Sequence, residues 1–389
     1  MRQPPPADEQ LLEEFRGYVR NFMQENFVPL PHDTDLSVET WLSKTPYTVA
    51  RKADLYKKYT RFMNENQGDQ LKNGRAHRRL MRVNCFMKDE SYPQYKYPRA
   101  INSRSDEFKC LVGPVMKAIE KEIFKLDWFI KKIPVALRPL DLYNNVHQEG
   151  AKCIGTDYTS YEALFTKLLM SVCEQEMFYY MTQFLPKEYI DLIRLLMGEN
   201  ECAYKDIWII IVEACRMSGE MCTSLANGFA NLMIMKFACF KSKVLSLKGR
   251  VEGDDGIFTF YGQLDESLFT RLGLLIKIDT YENVLAGSFC GIRCDDKNFV
   301  NLTDPVSVIL DFGWTTREYS NASFKKLMEL LRAKSMSFAW QYPGCPIIQS
   351  LASYGLRMTE KFGYSIKNLN LWEKEEFVRE MKFHNGRVP

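Results

Sequence analysis

The sequence predicts an α+β fold, and three observations carry that prediction. Val251-Glu252-Gly253-Asp254-Asp255-Gly256 lies between apolar, strand-favouring runs and reads as a tight β-hairpin with two adjacent carboxylates at its turn. Ala151 to Asp157 reads as a short strand running into a helix that starts near Ser160. Apolar residues at helical spacing surround both: Phe165, Leu169, Cys173, Met177 and Met181 recur every four residues, and a second run extends from Thr223 to about Lys241.

The 389 residues, 46% of them hydrophobic, exceed one average domain and can bury a large core. Net charge is only +3, from 52 basic against 49 acidic residues, so no global field announces a nucleic-acid partner. The charge is unevenly placed: nine Lys or Arg stand from Lys72 to Arg104, against the two acids Asp89 and Glu90. A local basic stripe can bind phosphates while the whole chain stays near neutral. Eleven cysteines, an odd number without CxxC pairs, argue against a disulfide framework and for a reducing compartment. Four scattered histidines suggest no zinc site. The first residues lack the apolar core of a signal peptide, and the longest apolar run, Ile207 to Val212, is far too short to span a bilayer. A soluble intracellular chain is expected, with peripheral membrane attachment left open.

Taken in order, residues 9 to 26 predict a helix that Pro29 and Pro31 end. Ser37 is placed to cap the next short helix, and Ala50 to Asn64 predicts another with a solvated charged face. Val83 to Glu90 reads as a strand entering a turn, Ser91 to Pro98 as a loop, and Arg99 to Arg104 as a short extended run. Arginine forks there suit phosphate oxygens, and the interleaved tyrosines can stack on bases, although charge runs are usually plain surface. Phe108 to Leu126 predicts a packing helix, and residues 201 to 215 a hairpin.

Two clusters exceed what packing requires. Asp157 and Glu162 flank a strand-to-helix junction, where a cap and a first-turn acid favoured by the helix dipole would explain Glu162 alone. Ser218-Gly219 approaches a helix on which Thr223, Asn227 and Asn231 stand at i, i+4 and i+8. A row of amides on a buried helix is costly unless partners are supplied, whether by a ligand hydroxyl or by another buried side chain. The Asp255-Gly256 pair is by itself an ordinary type I′ hairpin signal.

In combination, Asp157-x4-Glu162, Ser218-Gly219-x3-Thr223-x3-Asn227 and Gly253-Asp254-Asp255 resemble the palm motifs A, B and C of RNA-dependent RNA polymerases of positive-strand RNA viruses, tombusvirus-like or picornavirus-like. Lys88 to Arg104 resembles motif F, Leu272 to Lys277 motif D, and Ser288 to Gly291 motif E, so the resemblance covers about residues 83 to 295. It implies a right-hand polymerase, with 1–150 the N-terminal region and fingers, 151–184 palm, 185–217 a fingers insertion, 218–295 palm and 296–389 a small helical thumb. It also implies copying of an RNA template from ribonucleoside triphosphates with two Mg²⁺ or Mn²⁺ ions.

The resemblance makes Asp157 and Asp254 the metal ligands, with Asp255 a second-tier ligand, and it makes Lys277 the candidate proton donor to pyrophosphate. Lys88, Arg99 and Arg104 would face the triphosphate; Glu162, Ser218, Gly219, Thr223 and Asn227 the nucleotide and its ribose; Arg78, Arg79, Arg82 and Gly253 the RNA. Polar groups built to meet a 2′-hydroxyl reject the analogue lacking it. The family has Asp where this chain has Glu162, and a misplacement of about 1 Å can cost ~10²-fold, so a compensating backbone is expected. Implied partners are template, nascent RNA and other viral replication proteins, in host cytoplasm or at membrane-associated replication complexes. The rivals are a catalytically silent RNA-binding replication scaffold and a non-templated terminal nucleotidyltransferase.

Overall fold

The structure, a computed structural model, describes residues 4–66, 74–89, 95, 97–204, 208–212, 216–291, 293–315 and 319–362. Helix α1 (Glu9–Asn26) begins where Asp8 accepts from the Leu11 N–H, and it stops at Phe27, ahead of Pro29. Ser37 caps α2 (Val38–Lys44) through the Thr40 N–H, as its sequence predicts, and Thr48 caps α3 (Val49–Glu65). Then α4 (Gly74–Met81) leads into β1 (Arg82–Met87), which pairs antiparallel with β2 (Ala100–Arg104). Ser105 caps α5 (Asp106–Ile123), and α6 (Arg138–Asn145) precedes β3 (Lys152–Tyr158).

After β3 the single expected helix is instead three: α7 (Tyr161–Leu164), α8 (Lys167–Val172) and α9 (Glu174–Thr182). Ser160 does not cap; it takes a left-handed φ of 57° and its side chain makes no capping bond. Thr166 interrupts the run by turning extended and capping α8 through the Leu169 N–H. The apolar stripe survives the breaks because Phe165, Leu169, Cys173, Met177 and Met181 all still reach the core.

Beyond α10 (Lys187–Arg194), β4 (Asn200–Tyr204) and β5 (Trp208–Val212) form the predicted hairpin. Helix α11 (Thr223–Lys241) is buried on nearly every side, its amides Asn227 and Asn231 included. Strands β6 (Leu245–Glu252) and β7 (Asp255–Tyr261), helix α12 (Ser267–Arg271) and strand β8 (Ile276–Tyr281) follow. A small ladder of β9 (Arg293–Cys294) and β10 (Asn301–Leu302) precedes α13 (Pro305–Asp311), α14 (Phe324–Gln341) and α15 (Pro346–Met358). The sequence of residues 371–383 also predicts a helix, and that stretch lies outside the described residues.

Two four-stranded sheets result. One, in the order β6-β7-β3-β8, is antiparallel throughout. The other runs β2-β1-β4-β5, with β1 and β4 parallel, and so joins the basic stripe to the β4–β5 pair. Behind the first sheet lies α11, against which α1 packs through Phe15 and Tyr18, with ring centroids 5.2 and 5.5 Å from Phe237. One apolar core spans Leu11 to Leu274, so the N-terminal helix and the sheet share an interior. The fold is thus α+β. Among the described residues no helix is long and apolar enough to cross a membrane.

Candidate functional site

The hairpin of β6 and β7 closes on Gly253-Asp254, with Glu252 opposite Asp255. The sequence also permits a turn at Asp255-Gly256, but those residues already belong to β7, paired with Glu252 and Val251. Only the glycine of the turn takes positive φ, 58°, as a two-residue loop with Gly at its first position requires. Asp157 stands near the end of β3, one residue beyond the Thr156–Gly256 pairing and opposite Lys277 of β8. Asp157, Asp254 and Asp255 therefore share one end of the sheet.

Their charges oppose one another. Burial, then the neighbouring Asp254 and Asp157, push the Asp255 carboxyl up to about 6. Asp254 is also raised, by burial first and then by Glu162 and Asp157, while Arg99 pulls it down. Glu252, paired with Asp255 across the ladder, adds to the rise. Among the described residues no group of three His, Cys, Asp or Glu is already gathered closely enough to hold an ion.

A raised carboxyl binds its proton more tightly folded than unfolded, so folding weakens as pH rises from about 4 towards about 6. Thermal melts without divalent ions should show a falling melting temperature across that window, and Asp255→Asn should flatten the fall. Equal slopes for both proteins would contradict this.

Helix α11 supplies the amides that frame the turn. Asn231, fully buried, donates from Nδ2 to the carbonyls of Gly253, Asp254 and Asp255 at 3.2, 3.0 and 3.0 Å. Its Oδ1 accepts from the Tyr158 hydroxyl at 3.4 Å. Asn227 donates from Nδ2 to Glu162 Oε1 at 3.3 Å and accepts from Arg216 Nη1 at 2.7 Å. Tyr161, buried beside Glu162, donates to the Asn227 carbonyl at 3.2 Å. Glu162 is thus held by an amide from the facing helix, one of the two partners expected for that row.

The Ser218-Gly219 segment is committed to β2. Ser218 Oγ accepts from the Asn102 N–H and donates to the Ala100 carbonyl, both at 3.2 Å, and the Gly219 N–H donates to Asn102 O at 2.9 Å. The Thr223 hydroxyl donates to the carbonyls of Met217 and Glu220 and accepts from the Glu220 N–H. Ser218 and Thr223 therefore brace their own loop, where the sequence places them on a ribose. A Cβ on Gly219 would stand 2.8 Å from Asn102 O. Gly219→Ala should cost about 1–3 kcal/mol in urea denaturation by prising the loop from β2, and an unchanged midpoint would contradict that.

The basic stripe divides. The Lys88 N–H donates to Arg99 O at 2.8 Å, extending the β1–β2 ladder so that these two exposed cations neighbour each other. Arg99 lies close enough to act on Asp254. Arg104 is a correction: it is 1% exposed, with Nε on Glu220 and Nη2 on Asn200, each at 2.6 Å, so its guanidinium is buried among protein groups and not open to a triphosphate. Its place opposite Val83, itself buried, turns it inward. Arg79 is half-committed, paired with Glu65 and Glu107, whereas Arg78 and Arg82 are exposed. Tyr95 and Tyr97 are exposed with their rings 5.6 Å apart. Lys277, exposed beside Asp157, is held charged chiefly by Asp279 at 2.7 Å.

Sequence reasoning misses Arg216, whose only signal is a lone arginine two residues before Ser218, and it assigns no partner to Asn231. No protein-family model matches this chain, and no curated protein matches it.

Proposed function

We propose that the chain is a viral RNA-directed RNA polymerase that copies an RNA template from ribonucleoside triphosphates. The observation that carries this is the meeting of Asp157, Asp254 and Asp255 at one sheet end, beside the Asn227–Glu162 pair and within reach of Arg99. In this reading the sheet β6-β7-β3-β8 is the palm, β2-β1-β4-β5 belongs to the fingers and α13 to α15 form the thumb of a right hand.

The carboxylates supply hard oxygen donors suited to Mg²⁺ or Mn²⁺, and their mutual repulsion is the load that divalent cations relieve. Asp157 and Asp254 would hold such ions, with Asp255 supporting. When bound, two ions supply charge stabilisation for both the attacking and the leaving oxygen. The chain's own residues do the rest. Lys88 and Arg99 orient the triphosphate so that the primer 3′-hydroxyl attacks the α-phosphate in line and pyrophosphate leaves. Lys277, kept protonated by Asp279, is placed on the sheet edge to give a proton to the departing pyrophosphate. Asn227 and Glu162 read the ribose. Arg78, Arg82, Tyr95 and Tyr97 offer charge and stacking to RNA. Work beside other viral replication proteins in host cytoplasm, at replication membranes, fits this assignment.

The test is incorporation of labelled nucleotide on homopolymeric RNA templates with Mg²⁺ and with Mn²⁺. Incorporation should switch with the template, AMP on poly(U) and GMP on poly(C). The same nucleotide added whatever the template would instead indicate terminal transfer. Binding of RNA without incorporation by the folded chain would indicate a silent scaffold.

A further inference from the structure

Asn227 is the pivot between helix α11 and the carboxylate end of the sheet. The two ends of its amide have nearly the same shape, so only its partners decide which end faces Glu162. A guanidinium can only donate, and Arg216 Nη1 lies 2.7 Å from Oδ1. The NH₂ end is therefore left for Glu162 Oε1 at 3.3 Å. Were the amide reversed, its oxygen would confront a carboxylate and its NH₂ a guanidinium, and both contacts would repel.

Arg216 is itself fixed from three directions. It pairs with Glu174, its guanidinium lies 3.6 Å from the centroid of the Phe165 ring, and Asn227 takes the third side. Both partners of the ion pair are buried, with Arg216 3% and Glu174 2% exposed. Too deep to meet a nucleotide, Arg216 can act only through Asn227. The break between α7 and α8 sets this up, because Phe165 and Thr166 leave the helix there and the Phe165 ring becomes a platform for the guanidinium.

We propose that Arg216, anchored by Glu174 and Phe165, is a positioning residue that locks the Asn227 amide towards Glu162 and thereby sets preference for a ribose over a 2′-deoxyribose. The inference rests on the proposed function for its ligand class, a nucleoside triphosphate. A locked NH₂ holds Glu162 in one orientation and keeps its second oxygen free to accept from a 2′-hydroxyl. With the lock removed, Oδ1 loses the donor that pins it, the amide is free to swing away, and Glu162 is no longer held in one orientation.

Arg216→Met alone strands the Glu174 charge in the core and risks misfolding. The double variant Arg216→Met, Glu174→Met removes the pair together, and buried ion pairs replaced by apolar residues are often tolerated. Arg216→Lys keeps the charge but not the planar fork. Equilibrium binding of ATP and of 2′-deoxy-ATP, with Mg²⁺ present, is to be measured on the full chain and on both variants, with folding checked by thermal melt. Wild type should prefer ATP. The folded double variant should lose about tenfold of that preference through weaker ATP binding, the worth of one well-placed hydrogen bond, and Arg216→Lys should fall between them.

An unchanged preference in the folded double variant overturns the proposal, as does a wild type that binds both nucleotides alike or neither. A double variant that fails to fold leaves Arg216→Lys to decide, by the same criterion. Binding needs no turnover, so the two ideas separate. A wild type that prefers ATP but never copies a template would sink the polymerase assignment and leave the role of Arg216 standing.

Discussion

Replacing Asp254 by Asn should abolish templated incorporation, with a loss of about a thousandfold or more, while raising the melting temperature. The loss follows from removing a hard anionic donor where several kcal/mol of charge stabilisation is expected; about 4 kcal/mol corresponds to ~10³ in rate. The gain follows from the site's own repulsion. Asp254 is half-buried and crowded by Glu162 and Asp157, so a neutral amide of the same shape relieves a cost of folding. Stabilisation of about 1 kcal/mol is expected, the usual sign of a site that trades stability for function. The turn should persist, because Asn231 grips backbone carbonyls and not the Asp254 side chain. Single-turnover rates and thermal melts on the same preparations check both halves. Activity within tenfold of wild type, or a lowered melting temperature, would contradict the assignment.

The second large effect belongs to Asn231. Asn231→Leu keeps the volume but removes the amide that donates to three carbonyls at the turn. A buried acceptor left unsatisfied costs about 1–3 kcal/mol, so a loss of about 3 kcal/mol in urea denaturation is expected. Asn231→Asp should be at least as damaging, since its carboxylate would face carbonyl oxygens and add to the acidic cluster. Activity should fall with both, because Asp254 rides on the turn that Asn231 holds. A midpoint within experimental error of wild type in either variant would show that the turn holds itself.

Much of this arrangement is written locally. The hairpin, the strand ending at Asp157 and helix α11 follow from apolar periodicity and from the turn glycine, and all three form where the pattern predicts. The spacing of Asn227 and Asn231 on one helix face already implies that both amides need partners, and the structure gives them different ones, Glu162 and the β6–β7 turn. What the sequence hides is long-range. Arg104 looks like every other cation of its stripe until β2 pairs with β1 and sets it opposite buried Val83. Ser218 and Thr223 look like ligand contacts until the loop folds onto β2 and uses their hydroxyls itself. Arg216 has no periodic signature, and its role exists only because α7 ends at Leu164 and frees Phe165 to carry it. The parallel pairing of β1 with β4 likewise joins segments about a hundred residues apart, which no local pattern announces.

The most direct measurement is a count of divalent ions held by the folded chain with RNA and nucleotide bound, read from the Mn²⁺ signal in electron paramagnetic resonance. The carboxylate end of the sheet should take up two Mn²⁺ ions per chain, and Asp254→Asn should hold one or none. A wild type that binds RNA and nucleotide yet takes up no Mn²⁺ would contradict a metal-dependent polymerase at Asp157, Asp254 and Asp255.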